Sequence, residues 1–228
     1  MKRFFIATAW ILALITGCDD HSGEKVEVTT RDSTQLINRP SDSSSRVKAI
    51  EDSVRIIRRK DSVLLRLTDN ILRTIKNKNY AGLAGFIHPV EGIRFSPYAY
   101  IDTVHHVKFS VARFNAQVNA SIQDTLLWGE FDGTGDPIKM TLNTYMKRFV
   151  YDVDFIKPEK RSVNKFISGG NSLNNLVAVY KNCDFTESHF SGFEEKYGGH
   201  DWRTLRLVFK ERNKRFYLVG VVHDEWTI

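Results

Sequence analysis

The stretch HPVEGIRFSPYAY holds the residues whose types and spacing are best suited to binding a ligand. Arg94, Tyr98 and Tyr100 are separated by even steps, so on a strand they point to one side, with Phe95 on the other. A cation between two phenol rings suits an anionic or sugar-like ligand. The alternative interpretation is structural: the tyrosines pack, and Arg94 pairs with a carboxylate such as Asp102.

Four further side chains are candidates for the same pocket, namely His88, Asp132, His223 and Trp226. An enzyme would need several of these polar groups to meet in one enclosed cavity with shifted pKa values. His223 and Asp224 are neighbours on a predicted strand, so their side chains face apart unless the chain bends. The chain contains no nucleophile elbow, phosphate loop or dinucleotide fingerprint, so no catalytic residue is predicted.

The seven histidines do not form a metal-binding pattern. His105 and His106 are adjacent, and on a strand they would face apart. No two histidines have the H-x-H or H-x-x-x-H spacing, and no C-x-x-C is present. The run from Asp132 to Asp136 lacks the ligand spacing of an EF-hand and is interpreted as a turn. We therefore predict no metal ion and no cofactor.

The chain begins with MKR, and an apolar run of about a dozen residues follows, which is typical of a secretory signal. A membrane-spanning helix would need roughly 20 residues. The run ends in Ile15-Thr16-Gly17-Cys18, which resembles the lipobox of bacterial lipoproteins. In that family the cysteine sulfur receives a diacylglyceryl group, the chain is cut before the cysteine, and the new amine is acylated. An ordinary secretory signal with an incidental cysteine is the alternative interpretation.

The resemblance implies that residues 1–17 are removed and that Cys18 holds the protein on a membrane, because two or more acyl chains attach stably. We therefore predict a cell-envelope location on the periplasmic or outer-surface side, with the outer membrane favoured over the inner one. The predicted partners are that membrane and a small ligand or envelope component, and nucleic acid is not expected for an exported protein. Cys183 then lacks a disulfide partner and is interpreted as a small apolar residue.

Composition divides the remaining chain into a tether and one domain. Residues 18–45 are rich in Ser, Thr and Asp and are predicted to be a flexible tether. Residues 46–228 are long enough for a single domain. Its first segment, 46–79, is strongly basic, with ten Lys or Arg and four Asp or Glu up to residue 78. That segment either contacts anionic lipid headgroups or is a solvated helix face.

The periodicity of apolar residues predicts helices first and strands later. Three- and four-residue steps run from Val47 to Ile75, with a break and a new helix start predicted at Asp61. A short helix is predicted to follow, up to Phe86. Beyond residue 90 the pattern changes to strands with two helical insertions, which begin at Thr141 and at Asn171 or Ser172.

The C-terminal strands are the clearest, and they set the predicted fold class. Alternation along residues 205–210 predicts an antiparallel sheet with one buried and one wetter face. Helices followed by such a sheet predict an α+β fold. N-terminal helices packed on a curved, mostly antiparallel sheet resemble the NTF2-like, or cystatin-like, superfamily, in which they form a cone with a pocket.

Four blocks carry a further resemblance: FIHPVEGIRFSPYAYID, WGEFDGTGDPI, YMKRFVYDVDF and VGVVHDEWTI. They are similar to signature stretches of a family of bacterial exported proteins and lipoproteins, over about residues 80–228. That family has no established activity, so the resemblance supports export and the domain limits and implies no catalytic residue.

Together these features predict a lipid-anchored binding or accessory module of the cell envelope, with a pocket for a small ligand. Two alternatives stay open. One is an envelope enzyme that uses polar residues of the same pocket. The other is a structural interaction protein that contacts a membrane or a partner through its basic helix.

Overall fold

The computed structural model describes residues 42–167, 169–170 and 173–227. In this part of the chain, helical elements precede and interrupt a set of strands. The α-helices are α1 (Asp42–Lys76), α2 (Tyr80–Leu83), α3 (Val111–Asn119), α4 (Leu142–Tyr145) and α5 (Leu176–Val179). The strands are β1 (Ile93–Ser96), β2 (Lys108–Phe109), β3 (Leu126–Glu130), β4 (Pro137–Met140), β5 (Lys160–Val163), β6 (Asp184–Phe190), β7 (Arg203–Arg212) and β8 (Arg215–Glu225). Shorter helical turns cover Ala84–Phe86, Met146–Val150 and Glu195–Tyr197.

Six of these strands form one mixed sheet in the order β2-β1-β8-β7-β6-β5. The only parallel pair in the described sheet is β1 with β8, and the other neighbours are antiparallel. Strands β3 and β4 form a separate hairpin. This arrangement confirms the predicted α+β fold with a mostly antiparallel sheet.

The hairpin of β7 and β8 forms the centre of the sheet. Its turn residues Asn213 and Lys214 both adopt positive φ angles, 51° and 61°. Two successive residues of this kind make the type I′ turn whose twist matches that of the flanking strands. The polar turn at Asn213-Lys214 therefore fixes the register of the two longest strands, in which Arg212 lies opposite Arg215.

Both faces of this hairpin are buried. The prediction that one of its faces is more exposed to solvent is therefore wrong. Leu205 and Leu207 face the larger apolar cluster, on the side of α1. Val208 points to the other side, where it packs with Leu176 and Phe185 in a second apolar cluster. The segment that contains α5 therefore makes a second covering layer, which the alternation of β7 by itself cannot predict.

Helix α1 is continuous, so the break predicted at Asp61 is also wrong. One aspartate inside a helix costs only a few tenths of a kcal/mol, and Asp61 is partly solvated. The helix begins at Asp42, inside the predicted tether. Its second half packs on the sheet, where the Thr68 and Thr186 hydroxyls lie 2.7 Å apart. Residues Ser43–Ile228 form one compact unit.

A buried guanidinium lies at the middle of the second face. Arg206 donates from Nε to Glu187, at 2.7 Å, and from Nη1 to Asp224, at 2.9 Å. All three side chains are almost completely buried. Glu187 also accepts a hydrogen bond from the backbone N–H of Ile167, and the Phe166 ring covers the guanidinium. Burial raises the pKa of Asp224, and Arg206 offsets that effect only in part.

We expect Arg206→Met to lower the free energy of unfolding by about 3–5 kcal/mol, because it leaves two buried carboxylates without their cation. Urea unfolding followed by circular dichroism measures this loss. Arg212→Met is the matched control on the same strand, where the side chain is exposed, and we expect a change within about 0.5 kcal/mol. Equal stability of the two variants would contradict the structural role of Arg206.

Candidate functional site

The candidate site is a cleft of about 1050 Å³ between the loop that follows β1 and the hairpin of β3 and β4. Strand β1 stops at Ser96 because Pro97 has no backbone N–H to continue the ladder. The chain then turns outward and forms one wall. The other wall is the end of β3 with the turn at Asp132-Gly133. The polar and aromatic lining residues are Tyr98, Tyr100, Asp102, His105, His106, Glu130, Phe131, Asp132 and Thr134.

Two tyrosines supply the aromatic surface of the cleft. Tyr98 is buried, with its ring edge-on to Phe149 at 5.8 Å between centroids, whereas Tyr100 is 51% exposed. Burial and the nearby Glu225 raise the pKa of Tyr98, so its phenol stays neutral. Tyr98 therefore makes a fixed wall, and Tyr100 is the ring that a ligand can cover.

Arg94 lies outside the cleft and holds its wall in place. Its Nη1 donates to the backbone carbonyl oxygens of Asp102, at 3.3 Å, and of His106, at 2.9 Å. The guanidinium is therefore hydrogen-bonded within the loop. It does not lie between the Tyr98 and Tyr100 rings, so the predicted arrangement of a cation between two phenols is wrong. The pairing with the Asp102 carboxylate does not form either, because Arg94 contacts that residue through its carbonyl oxygen.

A compact turn at residues 102–106 carries the histidines of the cleft. The sequence predicts a strand here, but β2 begins only at Lys108, so the two imidazoles are not forced to opposite faces. Asp102 accepts hydrogen bonds from the backbone N–H groups of Val104 and His105 and contacts the His105 ring at 2.6 Å. The His105 contact and these backbone bonds lower the pKa of Asp102 to about 2.

His106 is the more enclosed of the two histidines. Its Nδ1 accepts the Asp102 backbone N–H at 3.1 Å and lies 3.1 Å from the Ser96 hydroxyl. The ring packs against Gly129, where a Cβ atom would come within 3.1 Å of it. Burial, together with the nearby Arg94, lowers the pKa of His106 to about 4. The neutral ring with a proton on Nε2 is therefore the form that lines the cleft.

The carboxylates set the charge of the cleft. Asp102, Glu130 and Asp132 are among the described lining residues, and no Lys or Arg is. Asp132 accepts a hydrogen bond from the Thr227 hydroxyl at 2.7 Å, which fixes the turn between β3 and β4. The potential inside the cleft is therefore negative, which favours a cationic ligand over an anionic one.

An ion-pair cluster lies next to the cleft, behind Tyr98. Arg203 bridges Asp152, at 2.8 Å, and Glu225, at 3.3 Å, and Arg148 pairs with Glu225 at 2.5 Å. His223 is fully buried, with Nε2 3.3 Å from Asp152 and Nδ1 3.2 Å from the Pro97 carbonyl oxygen. Burial raises the pKa of Asp152, but contacts with His223 and Arg203 outweigh it, so this pKa is lowered.

This cluster has three potential metal ligands, but its charge does not suit a metal ion. Oxygen or nitrogen atoms of Asp152, His223 and Glu225 lie within 4.8 Å of one another. Two guanidinium groups, from Arg148 and Arg203, already neutralise the two carboxylates. A divalent ion would have to displace Arg203 from both of its partners and would face uncompensated positive charge. We therefore interpret the cluster as structural support for the cleft.

The predicted pocket residues are thus divided among several places. Tyr98, Tyr100 and Asp132 line the cleft. His223 lies in the ion-pair cluster, and Asp224 faces the other side of the sheet, as strand geometry predicts.

Two other predicted pocket residues, His88 and Trp226, lie away from the cleft, as Arg94 does. His88 is buried near Tyr217, where its Nδ1 accepts backbone N–H groups of its own turn. Trp226 is partly exposed beside the His200 ring. Cys183 is half-buried next to the second apolar cluster, and burial raises the pKa of its thiol. Cys18, and the proposed helix starts Asn171 and Ser172, lie outside the described residues.

Sequence reasoning missed most of the polar lining. Asp102, His105, His106 and Glu130 come together only because the segment after β1 folds back over β3. One available signal was the run DTVHH, in which an aspartate precedes two histidines by three and four residues, as in a side-chain-capped turn. Because the run was interpreted as the start of a strand, the capped turn was not predicted.

No protein family, no curated protein and no solved structure matches the chain.

We expect the His106 imidazole to titrate near pH 4 in the folded protein and near pH 6.5 in the unfolded chain. Between these values only the unfolded chain takes up this proton, so stability falls as the pH falls from about 6.5 to 4. NMR titration of the ring proton measures the folded pKa, with the resonance assigned from its absence in His106→Asn. Unfolding of that variant near pH 5 should take up about one proton fewer. A folded midpoint near pH 6.5 would contradict the geometry.

Proposed function

We propose that the protein is a lipid-anchored module of the cell envelope that binds a small, positively charged, hydroxyl-bearing ligand in this cleft. The observation that carries the proposal is the combination of an aromatic surface with three carboxylates and no Lys or Arg among the described lining residues. The cleft volume is that of a small-molecule site. An amino sugar has the required features, because its amine suits the carboxylates and its ring can cover Tyr100.

The hydrogen bonds of Arg94 determine which ligand charge the cleft favours. Were that guanidinium in the cleft, an anion would be favoured, but it is bonded to two carbonyl oxygens of the adjacent loop. The remaining groups attract cations through carboxylate charge and through ring faces. The proposed ligand is therefore cationic, in place of the anionic ligand that the sequence predicts. The prediction of a sugar-like ligand is kept.

An NTF2-like architecture is part of this proposal. It is supported by a long N-terminal helix on a sheet in which the first strand pairs in parallel with the last. Apolar side chains such as Leu72, Phe155 and Leu207 occupy the space between α1 and the sheet. In this chain the ligand would therefore bind at the rim, beside β1, and not between helix and sheet.

Binding is favoured over catalysis by the separation of the candidate polar groups. An enzyme would place several polar groups in one enclosed cavity, and the candidates for this are His88, Arg94, Asp132 and His223. Asp132 alone of these lines the cleft, and the other three are engaged elsewhere. No nucleophile with an adjacent base lies among the described lining residues.

The ligand class is tested with three sugars that share one ring and differ in charge, namely glucosamine, glucose and glucuronate. Compounds are titrated into the chain that begins at Asp19, which keeps the compact unit whole, with binding followed by NMR shifts. We expect affinity to fall from glucosamine to glucose to glucuronate, with the largest shifts at Tyr100 and residues 130–135. Glucuronate binding most tightly, or shifts that avoid the cleft, would overturn the proposal.

Matched variants locate the binding. Glu130→Gln should weaken glucosamine binding by about threefold, because one exposed charge pair contributes less than about 1 kcal/mol. Tyr100→Ala removes the exposed ring and should weaken all three sugars. The controls are Glu195→Gln and Tyr197→Ala, which change exposed residues of the same types outside the cleft and should leave affinity unchanged.

The lipid anchor is tested by the intact mass of the protein purified from its native host. We expect a chain that begins at Cys18 and carries diacylglyceryl and amide-linked acyl groups. Cys18→Ser should remove both the added mass and the membrane retention. Residues 1–17 still attached, or an unmodified thiol at the new terminus, would contradict the anchor and leave the cleft proposal intact.

A further inference from the structure

A second cleft, of about 660 Å³, lies where the chain leaves α1 and meets α2, α3 and α4. It shares no lining residue with the first cleft, between the loop after β1 and the β3–β4 hairpin. Residues 78–81 form one wall, Val118 of α3 the second, and Asn143 and Thr144 of α4 the third, with Lys147 from the helical turn that follows α4. The volume is within the range of small-molecule sites.

Hydrogen bonds hold the walls of the second cleft in place. The Gln123 side chain joins two of them, because its Nε2 donates to the Gln117 carbonyl oxygen of α3, at 3.2 Å, and its Oε1 accepts the Asn143 backbone N–H of α4, at 3.0 Å. The remaining wall is fixed by Asn79, whose Oδ1 accepts the Gly82 backbone N–H at 3.0 Å. The shape of the cleft is therefore set before any ligand binds.

The charge of the second cleft is opposite to that of the first. Lys78 and Lys147 line it, and none of the described lining residues is an Asp or Glu. Neither lysine forms a salt bridge within the part of the chain that the structure describes. Both side chains are exposed, so the potential in the cleft is positive and complements an anion.

The backbone at Lys78 is in the left-handed region, with a φ angle of 54°. Its N–H donates to the Ile75 carbonyl oxygen at 2.8 Å, just past the end of α1. Glycine is the usual residue at such a helix end, because a side chain is strained in this conformation. A lysine at this position accepts that strain and brings an ammonium group to the cleft, which indicates a role for its side chain.

The other lining groups add hydrogen-bond donors and an apolar surface. Because Asn79 uses Oδ1 to accept the Gly82 N–H, its Nδ2 amide group is left to donate. Burial raises the pKa of Tyr80, so its phenol stays protonated. The Tyr80 ring, Ala81 and Val118 supply the apolar part of the lining. The complement of this lining is a group of acceptor oxygens attached to an apolar body.

We propose that the second cleft binds a small molecule that carries a phosphate or carboxylate group on an apolar body. The ammonium groups of Lys78 and Lys147 and the Asn79 amide donate to its oxygens in charge-assisted hydrogen bonds. Its apolar body packs on Tyr80 and Val118. The inference does not depend on the lipid anchor at Cys18 or on the ligand of the first cleft.

The ligand class is tested with phenyl phosphate, benzoate and benzyl alcohol, which share one ring and differ in charge, and with inorganic phosphate, which lacks the ring. Each is titrated into the chain that begins at Asp19, with binding followed by NMR shifts. We expect phenyl phosphate to bind most tightly, since its nearly two negative charges face two lysines, and benzyl alcohol least tightly. The shifts should concentrate at residues 78–81 and 143–147, and binding should weaken when salt is raised from about 0.02 M to about 0.5 M.

Three results would overturn this ligand class. They are benzyl alcohol binding as tightly as phenyl phosphate, inorganic phosphate binding as tightly as phenyl phosphate, and shifts that avoid the second cleft. None of them bears on the sugars proposed for the first cleft, because the two clefts have no lining residue in common.

Soluble molecules and lipid headgroups can both supply a phosphate on an apolar body, and vesicles distinguish these two sources. None of the described helices is long and apolar enough to cross a membrane. Co-sedimentation with phosphatidylglycerol vesicles that phenyl phosphate prevents would identify a lipid headgroup as the ligand. Binding of phenyl phosphate without vesicle binding would identify a soluble molecule, and binding of neither would overturn the proposal.

A matched pair of lysine variants locates the binding. Lys147→Gln should weaken phenyl phosphate binding by about threefold, because it removes one exposed charge pair. Lys139→Gln removes the same charge from an exposed position outside both clefts and should leave the affinity unchanged. Circular dichroism verifies that both variants are folded. Equal affinities of the two variants would contradict the site.

Lys78→Gly separates binding from stability. We expect it to weaken phenyl phosphate binding by about threefold, through the lost charge, and to raise the midpoint of thermal unfolding by about 2 °C, through the relieved backbone strain. Lys78→Gln keeps the strain and should weaken binding alone. Lys214→Gly, in the β7–β8 turn with a φ angle of 61°, is the control for the backbone effect and should bind as the parent does. Unchanged binding by Lys78→Gly and Lys78→Gln would overturn the proposal.

Discussion

The neutralisation of buried charge at the end of β8 is the constraint on which the rest of the structure depends. Strand geometry sends His223 and Glu225 to one face of the sheet and Asp224 to the other, and all three are buried. A buried carboxylate without a partner costs several kcal/mol, so each face must supply cations. Arg206 does so on one face, and Arg148 and Arg203 do so on the other.

These pairs connect parts of the chain that are far apart in sequence. Arg148 comes from the helical turn after α4, Arg203 from the start of β7, and Glu187 from β6. Because the arginines are held by carboxylates, they are not available to polarise a substrate or bind an anion. The chemistry that remains accessible lies beside the cluster, in the cleft.

The same end of β8 also positions the cleft. His223 contacts the Pro97 carbonyl oxygen, at the point where β1 ends and the first wall begins. Thr227, just beyond β8, donates to Asp132 in the opposite wall. Arg94 then closes the loop between Asp102 and His106. Each wall is therefore tied to the strand or to its extension, which fixes their separation.

The sequence by itself determined the elements whose signals are local. The β7–β8 hairpin, the helix start at Thr141 and the helical nature of residues 47–76 follow from turn residues, capping and periodicity. Tertiary structure decided what covers each face and which polar groups meet. The second buried face, the continuity of α1 through Asp61, the unpredicted α3 and the polar lining of the cleft all depend on contacts between distant segments. Contacts of this kind cannot be read from sequence periodicity. An arginine that is buried between two carboxylates and an arginine that is exposed to solvent occur in the same pattern of polar and apolar residues.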